Sequence, residues 1–293
     1  MLKGFPLAGE DAREQLLHLL PLPDVRGRLV PEHVGQHAGE HLNLALPVGS
    51  YLLTLESPDY ETTRYPVYLE HGRDWDTKGP GGSVTTLPIP RKGELGAEDR
   101  YVPEGWFYAG GDPDAPNGKA QVRVWLDGFV IRETPVTHLQ YLAFINDLLN
   151  EHGLDEANLW LPREQSTSDS ELGKPIYVQN GDTFVHSLGP AMDNHPVVHV
   201  TWYQAVAFTQ WLAQKTKQPW RLPLELEWEK AARGVDRRCF PWGSQFDPMF
   251  CVMMDSHVGK PEIRSLDEIL LDVSLYGVRS MAGNTREWCL DLF

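Results

Sequence analysis

The spacing of apolar positions changes several times along the chain, and each change predicts an element. Asp11 to Leu20 places leucines at helical spacing behind an acidic cap and stops before Pro21, which predicts a short amphipathic helix. From about Arg26 to Pro90 the pattern turns to short β segments. Gly49 to Glu56 and Arg64 to Glu70 flank the turn-rich Ser57 to Tyr60 and predict two antiparallel strands of a small β-sandwich. Linker-like composition over Gly79 to Ser83 and Pro90 to Asp99 places a boundary near residue 95, giving domains 1–95 and 96–293. Beyond it, Val122, Val124 and Leu126 alternate as a half-buried strand within Gln121 to Ile131.

Helix starts are marked by side chains able to reach the first-turn amides. Thr137 and Gln140 have capping-box spacing, and Tyr141, Leu142, Phe144, Ile145, Leu148 and Leu149 follow as one apolar stripe. Thr201 and Gln204 repeat the device before a second helix carrying Ala205, Phe208 and Leu212. Asn180-Gly181 within Tyr177 to Val185 predicts a hairpin, and Glu225 to Arg233 a third helix closed by Gly234. The layout is α+β with many loops.

Composition narrows the function. Lys and Arg number 26 against 41 Asp and Glu, a formal charge of −15, so a nucleic-acid partner is not expected. No stretch approaches the roughly 20 apolar residues of a membrane span, and Met1 to Pro6 lacks a secretory h-region, so no membrane insertion and a cytoplasmic location are expected. Cys239, Cys251 and Cys289 lack CxxC spacing and read as free thiols. The last residues, Trp288 to Phe293, stop inside an apolar run, and Cys289 to Phe293 are expected either to pair in a sheet or to leave the chain marginally stable and aggregation-prone.

Most chemical motifs can be set aside. Gly111 to Lys119 has the wrong spacing for a phosphate loop, and Ala120 stands where a magnesium-binding hydroxyl belongs. His33, His37 and His41 would align three imidazoles on a helix, but Gly35 and Gly39 weaken one there, so loop histidines are expected. His195 and His199 flank Pro-Val-Val and read as part of a buried strand that leads into the second helix. Trp202, Trp220, Trp228, Trp242 and Trp288 read as core slabs. Glu227 or Glu229 can pair with Arg221 or Arg233, and Leu224 sits where a helix-capping hydroxyl is usual.

Four ordered blocks carry more information. PVVHVTWYQA (Pro196 to Ala205) is followed by WRLPLELEWEKAARG (Trp220 to Gly234), FPWG (Phe240 to Gly243) and YGVRSMAGNTREW (Tyr276 to Trp288). With PVT at Pro135 to Thr137, they resemble the sulfatase-modifying-factor, or formylglycine-generating-enzyme-like, family over about residues 99 to 293. The resemblance implies a variant of the C-type lectin fold, with few helices and many loops. Leu46 to Leu53 (LPVGSYLL) and Tyr65 to Leu69 (YPVYL) separately resemble a PEGA-type β-sandwich. The order of the two modules is similar to the C-terminal region of some bacterial serine/threonine kinases, although no kinase signature is present.

The resemblance also implies a structural calcium held by the carbonyls of Ala282, Gly283 and Thr285 and the Glu287 carboxylate, hard oxygen donors that suit it. The alternative is that Asn284 and Glu287 bond neighbouring backbone amides without an ion. Oxidising members use a copper-binding cysteine pair beyond the block ending at Trp288, and Cys239, Cys251 and Cys289 do not match it. Ergothioneine-synthase-type relatives use an iron-binding histidine set on a helical bundle, which the β-rich first 95 residues do not match. Neither copper nor iron is therefore expected in this chain. The expected role is a non-catalytic binding or regulatory module with a protein or small-molecule partner. The competing role is a copper or non-heme iron oxidoreductase whose catalytic segment lies outside this chain, and a third is a fragment of a longer kinase-linked polypeptide.

Overall fold

The computed structural model describes all residues other than 1, 7–14, 22–32, 38–40, 85, 116–117, 167–171, 257–258, 261 and 292–293, and for residues 2–44 it describes backbone strands. The architecture is α+β. Two compact units alternate along the sequence: residues 1–133, 226–247 and 271–282 form the first, and residues 134–225, 248–270 and 283–293 the second.

The first unit holds most of the strands. β1 (Leu2–Pro6), β4 (His41–Leu44) and β7 (Trp75–Asp76) form a sheet in the order β4-β1-β7. β2 (Gln15–Pro21), β3 (His33–His37), β5 (Gly49–Ser57) and β6 (Tyr60–Leu69) form another in the order β3-β2-β5-β6. β5 and β6 pair antiparallel from Gly49↔Leu69 to Ser57↔Tyr60, as their alternation predicts. The expected helix at Asp11 to Leu20 is corrected: Gln15–Pro21 is a strand, antiparallel to both β3 and β5. Its QLLHLLP sequence fits either period, and pairing on both edges decides for the strand. Residues 11–14 lie outside the described part. His33 and His37 end the same strand and His41 opens another, so the three do not line one helix.

Tyr51, Leu53, Leu55, Tyr65, Val67 and Leu69 are buried together with Phe107, Ala109 and Val235. Strands on both sides of residue 95 thus share one core. β8 (Asp99–Val102) pairs with β11 (Phe129–Arg132), and β9 (Gly105–Ala109) with β10 (Val122–Leu126). The single strand expected over Gln121 to Ile131 is therefore two, interrupted at Asp127 and Gly128.

The second unit carries α1 (His138–His152), α2 (Leu154–Leu159) and α3 (Trp202–Thr216), with the hairpin β12 (Tyr177–Asn180) and β13 (Thr183–His186). Both capping boxes form: Thr137 and Thr201 accept from the amides of Gln140 and Gln204, whose side chains reach back. Tyr141, Phe144, Ile145, Tyr177, Phe184 and Phe208 bury one aromatic-rich core. The hairpin turn is Gly181-Asp182, one residue later than the Asn-Gly reading, with Gly181 at φ 62°. α4 (Glu225–Arg233) ends as expected, Gly234 at φ 73° donating to Lys230 O at 2.9 Å.

Candidate functional site

The residues singled out by the sequence fall into four settings. The first is the turn running from Asp272 to Ala282 in the first unit. Val273 and Arg279 form a single bridge, Ser274 N donates to Val278 O at 2.7 Å, and Ser280 N to Asp272 O at 2.9 Å. The Asp272 carboxylate accepts from Ala282 N at 2.8 Å. Burial nonetheless lifts its pKa above the ordinary range, against the lowering effect of the Ala282 and Met281 amides. The turn packs by Tyr276, Val278 and Met281 against Ala231 and Ala232 of α4, so two of the sequence blocks meet in one core.

Lys230 is also in this unit, 1% exposed, its ammonium donating to Pro103 O at 2.7 Å and Gly105 O at 3.2 Å. Burial brings its pKa down to about 7. Nearby in sequence, Arg238 and Asp236 are a buried bidentate pair with two contacts of 2.7 Å. Burial raises the Asp236 carboxyl, but the guanidinium outweighs it and holds the group below its usual range. Glu229 pairs with Arg233, one of the ion pairs anticipated, and also accepts from Gly110 N at 2.8 Å.

The second setting is the loop from Gly283 onward, in the second unit. Asn284 sits at φ 66°, donates its amide to Val252 O at 2.6 Å, and brackets Arg264 with its side chain. Asn284 Oδ1 accepts from Arg264 N at 2.9 Å, and Nδ2 donates to Arg264 O at 3.0 Å. A Cβ on Gly283 would stand 2.4 Å from Val252 O, so only glycine fits there. Gly283 O already accepts from Thr285 N at 2.8 Å, leaving its second lone pair for another donor or an ion. Of the four expected calcium ligands, Gly283, Thr285 and Glu287 lie in this unit and Ala282 is the last residue of the first. Their donors are all oxygen, a set that fits calcium and not copper.

Downstream, Trp202 Nε1 donates to Cys289 O at 2.9 Å, Trp288 Nε1 to Val200 O at 3.0 Å, and Leu290 N to Pro223 O at 2.8 Å. Asp291 Oδ2 accepts from Glu225 N at 2.6 Å, so a carboxylate 66 residues away caps α4 where Leu224 offers no side-chain oxygen. No sequence pattern pointed to this residue. Of the two outcomes expected for Cys289 onward, sheet pairing does not occur at residues 289–291, which these bonds hold outside any strand, and 292–293 lie outside the described part.

The third setting is a histidine group in the second unit. His138 is 1% exposed, its Nδ1 lies 2.9 Å from Tyr177 OH, and its ring stacks edge-on to His186 at 4.6 Å. Burial, and then His186, His195 and His199, bring the His138 pKa down to about 3. His186 Nδ1 accepts from Leu188 N at 3.1 Å, which assigns its proton to Nε2 while neutral. The strand expected at His195 to His199 is corrected: only Pro196 bridges, to Thr137, and His199 turns out at φ 60°. Among the described residues no three of His, Cys, Asp and Glu converge as a metal site would require.

The fourth setting is the thiols. Among the described residues none of the three cysteines is in a disulfide; Cys251 is buried and Cys239 and Cys289 are half-buried. Burial, then the Asp112 carboxylate, pushes the Cys239 thiol up, away from the thiolate that metal binding needs. The reading of the tryptophans as core slabs is corrected for Trp202, Trp220 and Trp242, which are half-buried, and for Trp288, 48% exposed; Trp228, also half-buried, does pack against the core of Val102, Ala231 and Tyr276. The N–H groups of Trp202, Trp242 and Trp288 bond loop carbonyls, which keeps these indoles near the surface. Among the described residues no helix is long and apolar enough to cross a membrane.

Comparison with known proteins agrees with the ordered blocks. A formylglycine-generating enzyme of Thermomonospora curvata is 30% identical over 237 residues, covering 69% of this chain and 75% of its own. The hercynine oxygenase of Mycolicibacterium smegmatis is 29% identical over 226 residues, covering 72% of this chain and 50% of its own. A serine/threonine-protein kinase of Chlamydia trachomatis is 28% identical over 192 residues, covering 65% of this chain and 27% of its own. Residues 86–293 match the sulfatase-modifying factor enzyme 1-like domain, and the chain belongs to this family.

Proposed function

We propose that this chain is a non-catalytic member of the family, a binding or regulatory domain for a protein or small-molecule partner. The observation that carries the reading is the setting of the thiols. Cys239 is held away from its thiolate by burial, and Cys251 is buried. Cys289 is half-buried, and among the described residues it is in no disulfide. A copper(I) centre needs two thiolates side by side. A structural calcium held by Ala282, Gly283, Thr285 and Glu287 is part of the same proposal, as is a cytoplasmic setting. The PEGA-like reading of residues 1–95 rests on the β5–β6 pairing. The chlamydial kinase supports association with kinase chains as a context for such a domain.

The formylglycine-generating and hercynine oxygenase relatives favour the second reading, a copper or non-heme iron oxidoreductase. Loading the purified chain anaerobically with copper(I) or iron(II), then measuring retained metal and oxygen uptake with a cysteine-containing peptide or a thiol plus a histidine betaine, separates the two. The binding-domain reading expects neither retention after desalting nor uptake above the buffer rate. Stoichiometric metal with substrate-dependent uptake would establish the oxidoreductase.

A further inference from the structure

The turn between Asp272 and Ala282 contains two buried oxygens left unmet among the described residues. Asp272 is 1% exposed and Ser280 2% exposed, yet no described group bonds Asp272 Oδ1 or Ser280 Oγ. Buried polar atoms are nearly always paired, and an unpaired carboxylate oxygen is the costliest kind to leave so. The two residues are fixed to each other by the main chain, Ser280 N donating to Asp272 O at 2.9 Å, while the other carboxylate oxygen accepts from Ala282 N at 2.8 Å. Ser280 is further held at φ 63°, a left-handed conformation unusual for serine. The carboxylate therefore cannot swing to solvent without giving up its amide bond.

What such a pair would bind follows from donor type. A carboxylate oxygen and a hydroxyl are hard donors that suit calcium and do not suit copper or zinc. No other acidic residue lies between Asp272 and Glu287, so Asp272 is the one acidic side chain that the turn itself supplies. We propose that Asp272 Oδ1 and Ser280 Oγ ligate a hard divalent cation of the calcium class in the 272–282 turn. These side chains are not among the expected ligands Ala282, Gly283, Thr285 and Glu287, so the inference stands whether or not that loop holds an ion. Its rival is a proton: burial raises the Asp272 pKa, and a neutral acid with an internal water would also satisfy the turn.

The test uses the full chain, stripped with a chelator and titrated with calcium chloride, with magnesium chloride as the comparison. Bound calcium is counted by elemental mass spectrometry and thermal unfolding is followed in parallel, for the wild type, D272N, S280A and E287Q. The expected result is calcium retention and a calcium-dependent rise in Tm in the wild type. D272N should weaken binding at the turn at least tenfold and S280A several-fold. Asparagine keeps an acceptor for Ala282 N, and alanine tolerates the Ser280 backbone as serine does, so S280A remains informative if D272N folds poorly. Wild-type calcium affinity in both D272N and S280A overturns the proposal. So does a wild type that neither retains calcium nor gains Tm from it, and an S280A variant at least as stable would then mark an orphaned hydroxyl beside a neutral acid. E287Q reports on the neighbouring loop alone, so the two readings can fail separately.

Discussion

His138 shows how burial turns a titratable side chain into a condition on folding. Its ring is enclosed by Tyr177 and His186, with His195 and His199 adding to the effect, and its pKa falls to about 3 from an ordinary 6.5. Between those values the unfolded chain binds a proton that the folded chain refuses. Stability is therefore complete above the higher value and declines as pH falls toward the lower one. His186 shifts in the same direction, for the same reason first of all, and adds to the slope. The loss should amount to a few kcal/mol, since each tenfold change in proton affinity is worth on the order of 1.4 kcal/mol. Urea denaturation followed from about pH 7 to about pH 4 should show it, and H138Q should flatten the profile. Parallel profiles in wild type and H138Q would place the acid sensitivity elsewhere.

At the scale of elements, α4 illustrates what a sequence does and does not disclose. Its end was readable, because Gly234 bonds a carbonyl only four residues before it, that of Lys230. Its beginning was not, because Leu224 has no capping side chain and the carboxylate that replaces one is Asp291. D291A should cost about 1 kcal/mol, the usual worth of a cap, and more than the same change at an exposed acid such as Asp182. Chemical denaturation of both variants checks this, and equal midpoints would mean the bond to Glu225 N contributes nothing. The same contrast runs through the molecule. The capping boxes at Thr137 and Thr201 and the β12–β13 hairpin were legible because their partners lie within a few residues. Gln15–Pro21 was misread because its neighbours across the sheet, and not its own periodicity, choose the strand. Glycine and asparagine in the 283–284 step were legible as a special loop, but the partners Val252 and Arg264, and the unmet oxygens of Asp272 and Ser280, depend on long-range packing.

For the whole molecule, the division of the chain has a practical outcome. Buried β5 and β6 residues such as Leu53 and Val67 share a core with Phe107, Ala109 and Val235, on the far side of the boundary drawn from composition. A fragment beginning at residue 96 would leave that core with one wall. It should bind a hydrophobic dye and unfold at a markedly lower temperature than the full chain, since stripping large apolar side chains of their partners removes several kcal/mol. A cooperative transition at the temperature of the full chain would instead establish residues 96–293 as an independent domain. Sequence alone drew the boundary from Pro and Gly content, and those residues mark a connection without revealing what packs across it.

The alternation of the two units also sets a timetable during synthesis. The first unit lacks its last segment, 271–282, until roughly 150 residues after its long opening segment has been made, and those residues belong mostly to the second unit. At about 5–20 residues per second, Val102 at the end of β8 waits on the order of 10–30 s for Tyr276, Val278 and Met281, which complete its core. Over that interval an unfinished apolar face is presented to the ribosome's surroundings.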